Sequence, residues 1–296
     1  MEVVVFGAGS LGSLLGGMLA REHRVTLVGR DPHVGAARED GLRISGELPF
    51  RTTPHVTTDG TDLAADLACV AVKSYDTAEA ARTLATGEFG AVLSLQNGLG
   101  NEERLAAELD APVLAGTATY GARLEEPGRV ECTGTGEVVL GDPDGGESAR
   151  AERIGEAFEA VGIETTVAPD MPRRLWEKCA VNAAINPLTA LARVENGAIL
   201  KDSAWPIASE AARETARVAR ENGVDLTDET AVSSLRRVAR ATAPNTSSMA
   251  RDVERGSRTE IDAINGYVAE HALEPAPTNA LLAGVVKTWE SSRGLR

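Results

Sequence analysis

Residues Val3 to Phe6 form a short, unbroken apolar run, and a glycine-rich turn follows at once, Gly7-Ala8-Gly9-Ser10-Leu11-Gly12. Leu11, Leu14, Leu15, Met18 and Leu19 then recur at i, i+3, i+4, i+7 and i+8, the buried face of a helix. A strand apolar throughout belongs in a parallel sheet covered on both faces. With 30 glycines in 296 residues, G-x-G-x-x-G alone says little, and a purely structural turn is the bland alternative. Its position between a strand and a helix makes it a candidate dinucleotide site. Gly7 permits the tight turn, Gly9 lets the backbone approach a pyrophosphate, and Gly12 allows close packing of the helix. The helix N-terminus adds free N–H groups and a partial positive charge.

Val25 to Val28 reads as the second strand and ends in Gly29-Arg30-Asp31. An acid at this point takes the ribose 2′-hydroxyl of NAD, whereas an arginine accommodates the 2′-phosphate of NADP. Arg30 therefore favours NADPH, and Asp31 keeps NADH open. Leu67 to Val72 is a further buried run, leading into Lys73-Ser74-Tyr75 and then Asp76-Thr77-Ala78-Glu79, which has the spacing of a capping box. Ala91 to Leu95 leads into Gln96-Asn97-Gly98, where Asn97 reads equally as a turn residue or a ligand. Both loops fall at the carboxyl ends of strands, where open α/β sheets bind ligands. Val113 to Thr119 reads as a strand, and Arg129 to Thr133 with Glu137 to Gly141 as a hairpin around Gly134 and Gly136. A helix over Ala149 to Val161 and a strand over Thr165 to Val167 close a first domain, residues 1–169.

Beyond that point strand signals stop. Helical patterns at about 172–191, 203–222, 228–242, 259–273 and 279–292 make residues 170–296 an all-α domain. The first of these helices, LWEKCAVNAAINPLTA over Leu175 to Ala190, puts Lys178, Asn182 and Asn186 on one stripe of an otherwise apolar circumference. A helix apolar all round is normally buried, and an ammonium with two amides on it needs polar company. A solvated surface stripe is the alternative. Pro187 should bend or end this helix just beyond Asn186. Farther on, Asn245 or Ser248 reads as a helix cap and Glu260 as a first-turn acid.

A formal charge of −14 argues against nucleic acid or an anionic membrane as partner. Its Lys-poor, acid-rich balance resembles that of salt-loving proteomes, though a high-GC genome also favours Arg. Cys69, Cys132 and Cys179 are scattered, and the four histidines form no ligand pair, so no metal is expected. No signal peptide or membrane-length apolar segment is evident, which points to the cytoplasm. A homodimer is compatible with the sequence but not specified by it.

Together, GAGSLG, Gln96-Asn97-Gly98, the Lys178-Asn182-Asn186 helix, the segment Asn245-Thr246-Ser247-Ser248-Met249 and Thr259-Glu260-Ile261-Asp262 resemble the 2-dehydropantoate 2-reductase, or ketopantoate reductase, family. The motifs occur in the family's order and span nearly the whole chain. The resemblance implies a Rossmann-type parallel-sheet domain followed by an all-α domain of the 6-phosphogluconate-dehydrogenase C-terminal-like type. It implies NADPH-dependent reduction of 2-dehydropantoate to pantoate, on the way to pantothenate and coenzyme A. Lys178 matches the catalytic lysine and Glu260 the acid of the substrate site. Asn182, Asn186, Asn196, Asn245 and Ser248 match substrate-side groups, and Asn97 an asparagine near the nicotinamide. Gly7, Ala8, Gly9, Ser10, Leu11 and Gly12 match the phosphate turn, and Arg30 and Lys73 basic residues on the cofactor's phosphate side. Asp76 departs from the pattern, since some members carry a neutral amide there.

The chemistry implied is coherent. Reduction of a ketone develops negative charge on its oxygen, which a positioned ammonium stabilises and protonates. A neighbouring carboxylate such as Glu260 favours the charged lysine. Two rivals stay open on sequence: a two-domain dehydrogenase of another 2-oxo acid or imine, and a dinucleotide sensor without turnover.

Overall fold

In the computed structural model, which describes all 296 residues, the N-terminal apolar run is β1 (Glu2–Phe6), and the periodic segment after the turn is α1 (Ser10–Leu19). The chain divides into two compact units. The first comprises Met1–Gln96 and Asn101–Met171, the second Asn97–Gly100 and Pro172–Arg296.

The strands of the first unit that follow are β2 (Arg24–Val28), β3 (Leu42–Gly46), β4 (Phe50–Thr52), β5 (His55–Thr57), β6 (Ala64–Ala65), β7 (Leu67–Val70), β8 (Glu88–Phe89) and β9 (Val92–Ser94). Then come β10 (Val113–Ala118), β11 (Gly121–Glu126), β12 (Arg129–Gly134), β13 (Glu137–Gly141) and β14 (Glu164–Val167). The main sheet has the order β14-β13-β10-β9-β7-β1-β2-β5, parallel except between β10 and β13. The chain leaves β1 toward β2 on one side and returns as β7 on the other, which makes the carboxyl ends of β1 and β7 the topological switch point where such sheets bind ligands. Helices α2 (His33–Asp40), α3 (Thr77–Leu84), α4 (Asn101–Ala106) and α5 (Ala149–Glu159) complete the unit.

The expected hairpin over residues 129–141 does not form. β12 pairs instead with β11 and β3, in a second sheet of order β11-β12-β3-β4, while β13 joins the main sheet beside β10 and β14. This second sheet lies on the other side of α1, because Leu42, Ile44, Val130 and Cys132 share one core with Leu14, Leu15 and Met18 of the helix and Val3, Val5 and Leu27 of the main sheet. Two adjacent glycines make room for the sandwich. A methyl on Gly16 would strike Leu27, and one on Gly17 would press on Leu42 at 3.1 Å.

His33 ties the same layers together. Its Nδ1 accepts from Gly128 N–H at 3.0 Å, so Nε2 carries the hydrogen and faces Ser13 Oγ at 2.9 Å. Burial lowers its pKa from the usual 6.5, so the unfolded chain takes a proton more readily than the folded one. Its stabilising contribution is therefore complete above about pH 6.5 and is lost as pH falls through the depressed folded value. Stability measured by denaturant from about pH 8 to about pH 5 should fall more steeply for wild type than for His33→Gln, by up to about 1.4 kcal/mol per pH unit. Parallel curves would exclude His33 as the source.

The second unit is built from α6 (Met171–Ala192), α7 (Trp205–Glu221), α8 (Asp228–Ala241), α9 (Ser248–Glu254), α10 (Tyr267–Glu270) and α11 (Pro277–Ser291). Its core is rich in alanine, with Ala180, Ala183 and Ala184 of α6 and Ala208, Ala211, Ala212, Ala216 and Ala219 of α7 fully buried, which lets helix backbones approach closely. α6 does not end beyond Asn186 but continues through Pro187 to Ala192. Proline cannot donate to the Ala183 carbonyl one turn back; Asn265 Nδ2 takes that carbonyl instead, at 2.9 Å. Asn265 also donates to Asn279 Oδ1 at 3.0 Å, and Asn279 is held by Glu214. The helix expected over 259–273 is shorter and of different pitch, a π-helix over Asp262–Gly266 followed by α10. No helix is long and apolar enough to cross a membrane.

Candidate active site

The glycine turn of the first unit is made as its spacing requires. Gly7 has φ +111°, and the N–H groups of Gly7 and Ala8 both donate to Val28 O, at 2.9 and 2.8 Å. A methyl on Gly12 would collide with the Gly7 carbonyl, so Gly12 is needed for the helix to start against the turn as much as against the sheet. Gly9 faces open space. The first intrahelical bond runs from Ser13 N–H to Gly9 O, which leaves the amides of Ser10, Leu11 and Gly12 emerging from the helix end. Ser10 Oγ accepts from Leu124 N–H at 3.0 Å and pins this end to β11. Open backbone, emerging amides and a helix dipole together fit a pyrophosphate.

At the end of β2, Arg30 Nη2 lies 3.0 Å from Asp76 Oδ2. Asp31 turns the other way, its Oδ1 accepting from Gly35 N–H at 2.9 Å within the first turn of α2. The capping box expected at Asp76 is therefore absent. Asp76 ends a 3-10 turn over Ser74–Asp76 that Lys73 introduces, and its carboxylate makes no cap bond to α3 because Arg30 claims it. Gln96, not singled out as a site residue on sequence, donates through Nε2 to Val72 O and Thr77 Oγ1 at 3.2 and 2.7 Å. Its Oε1 is buried without a partner at the carboxyl end of β9. Its place beside Asn97 at a strand end, within the Gln96-Asn97-Gly98 motif, is the sequence signal for it.

In the second unit, Lys178, Asn182 and Asn186 do lie on one uninterrupted helix. Lys178 and Asn182 are half-buried and Asn186 is buried. Thr189 joins the end of this stripe to the next segment, its Oγ1 standing 2.7 Å from Ser247 Oγ. Ser247, and neither Asn245 nor Ser248, caps α9 by accepting from Ala250 N–H. This leaves the exposed Ser248 hydroxyl at the first position of the helix. Asn196 N–H donates to Asn245 O at 2.9 Å, while the Asn196 side chain donates to Thr242 Oγ1 at 3.0 Å, so Asn196 serves to hold the Asn245 loop.

Asn97 belongs to the second unit as well. Gly98 has φ +87° and passes so close to Ala263 that a side chain would not fit, and Leu99 N–H donates to Ala263 O at 2.8 Å. This docking brings Asn97 Nδ2 to 3.3 Å from Glu260 Oε2. Glu260 is therefore not the first-turn acid expected of it: it sits in a bend ahead of the π-helix, whose first-turn acid is Asp262, and its carboxylate belongs to this polar pair. The residues on either side of Glu260 are fixed by charge. Buried Glu290 accepts from Thr259 N–H and Oγ1 at 2.7 and 2.6 Å. Asp262 contacts Arg296, Lys287 and Arg258 at 2.6, 2.9 and 3.3 Å. Burial opposes the Asp262 charge, but hydrogen bonds from Lys287 and Arg296 outweigh it and hold the carboxyl down at about 2.

Two family models match this chain, ketopantoate reductase PanE/ApbA over residues 3–145 and ketopantoate reductase PanE/ApbA C terminal over residues 170–290. The chain belongs to the ketopantoate reductase family. It is 45% identical to the 2-dehydropantoate 2-reductase of Halobacterium salinarum, covering 97% of this chain and 98% of that one. A PanE/ApbA family ketopantoate reductase from Ralstonia eutropha superposes with a TM-score of 0.91 at 31% identity, covering 99% of this chain and 100% of that one. A D-mandelate dehydrogenase, solved with NADH and anilino(oxo)acetate, shares the fold at a TM-score of 0.93 and 22% identity, covering 100% of both chains. The parallel-sheet unit and the helical unit are thus those of ketopantoate reductases.

Proposed function

We propose that this chain reduces 2-dehydropantoate to (R)-pantoate with NADPH, as a cytoplasmic enzyme of pantothenate and coenzyme A synthesis. We assign cofactor binding to residues 1–169 and ketoacid binding to residues 170–296, with Asn97 serving both. The observation that carries the reading is the Asn97–Glu260 hydrogen bond, which joins two polar residues 163 positions apart in a unit that also carries the Lys178-Asn182-Asn186 stripe. A turn asparagine and an acid in a bend have no structural need of each other; a substrate site has.

The dinucleotide, when bound, supplies the hydride. The amides of Ser10, Leu11 and Gly12 hold its pyrophosphate, with Gly7, Ala8 and Gly9 shaping the turn, and Arg30 and Lys73 take the 2′-phosphate. Lys178 Nζ stabilises the negative charge that develops on the ketone oxygen and gives it the proton that completes the alcohol. Glu260 orients the Asn97 amide, from which its carboxylate accepts a hydrogen bond. Asn182, Asn186, Asn245 and Ser248 offer neutral donors to the substrate carboxylate and hydroxyl, and Asn196 positions that loop.

Following nicotinamide absorbance with 2-dehydropantoate, pyruvate and hydroxypyruvate in turn tests the reading. The branched ketoacid should be turned over with the highest kcat/KM. Equal or better efficiency with pyruvate would overturn the substrate assignment, and absence of turnover with every ketoacid would favour a sensor.

A further inference from the structure

We propose that Asp76 is a specificity-determining residue of the cofactor site, a built-in competitor for Arg30 that limits the preference for NADPH over NADH. The inference rests on the reading of Arg30 as the 2′-phosphate ligand. Its observation is the ion pair Arg30 Nη2–Asp76 Oδ2 at 3.0 Å, in which the arginine side chain is 83% exposed and the acid 25%. The exposures show which partner is anchored. Asp76 sits on a short 3-10 turn, its N–H bonded to Lys73 O at 2.8 Å, while Arg30 reaches across to it on a solvated arm.

Two acids stand near the end of β2, and the structure separates their roles. Asp31 is occupied with Gly35 N–H in the first turn of α2, so it ties down that turn. Asp76 makes no cap bond to α3, and its carboxylate is committed to Arg30 alone among the hydrogen bonds and ion pairs of its side chain. A 2′-phosphate must therefore take the guanidinium from Asp76 and then share it with a like charge. A 2′-hydroxyl meets no such opposition, since it can donate to that carboxylate. The same pair that places Arg30 at the ribose end thus narrows the difference between the two cofactors. Because the Asp76 side chain caps no helix, removing its charge does not deprive α3 of a bond.

Binary titrations of NADPH and NADH, followed by nicotinamide fluorescence without any ketoacid, test this independently of turnover. Asp76→Asn should lower the Kd for NADPH about five- to thirtyfold, equivalent to about 1–2 kcal/mol, and leave that for NADH within about twofold. Asp76→Ser should act in the same direction. In an Arg30→Ala background the gain should shrink, as coupling between paired groups requires. An unchanged NADPH Kd in both Asp76 variants, or equal tightening of both cofactors, overturns the proposal. If Arg30→Ala alone leaves NADPH binding unchanged, the 2′-phosphate reading of Arg30 fails and this inference falls with it. If Arg30→Ala weakens NADPH while the Asp76 variants change nothing, only the role of Asp76 fails. The proposed substrate is untouched in either case.

Discussion

Lys178→Ala should lower kcat by about 10²- to 10⁴-fold, the range for loss of a general acid, with little change in the binary Kd for NADPH. Lys178 stands on α6 in the second unit, whereas the glycine turn, Arg30 and Lys73 belong to the first. In the proposed mechanism the ammonium is the only group of the stripe that can yield a proton at neutral pH, because amides can donate hydrogen bonds but do not ionise there. Lys178→Arg is the informative control. It restores positive charge but holds its proton too tightly to transfer it, so it should recover substrate binding more than kcat. A Lys178→Ala enzyme with near-wild-type kcat would remove the lysine from the mechanism.

Asn265→Ala should destabilise the second unit by about 3–5 kcal/mol. The side chain is completely buried and donates to Ala183 O and Asn279 Oδ1. Each lost bond is worth about 1 kcal/mol, and leaving the Ala183 carbonyl unpaired beside Pro187 adds a desolvation cost of about 1–3 kcal/mol. Denaturant unfolding with an unchanged m-value is the measurement. Adding Pro187→Ala should recover part of the loss, because the restored N–H can take the Ala183 carbonyl in the ordinary helical way. A loss below about 1 kcal/mol would show that the backbone relaxes around the missing amide.

What the sequence revealed follows the reach of each signal. The turn at Gly7 to Gly12 was legible because its strand, glycines and helix period are consecutive. The second sheet was not, because β12 looks locally like the arm of a hairpin around Gly134, while its actual neighbours are β11 and the distant β3. The capping-box spacing at Asp76 lost to an arginine 46 residues away, and Pro187 failed to stop α6 because the compensating amide comes from 82 residues beyond Ala183. The site behaves in the same way. The Lys178-Asn182-Asn186 stripe is a local period and could be read directly. The Asn97–Glu260 pair could be anticipated only through family resemblance, since each residue taken alone reads as an ordinary turn or helix start. Ser247 displaced the expected caps because its neighbour Ser248 has the same chemistry, and only packing against Thr189 distinguishes them.

The clamping of α1 between two sheets, with Gly16 against one and Gly17 against the other, bears on how a ligand is received at its N-terminus. A helix fixed on both faces spends less conformational entropy when an anion arrives, because its amides already point outward. Less of the contact energy is then offset by ordering the receptor, which is the advantage of a preorganised site over one that must fold around its guest.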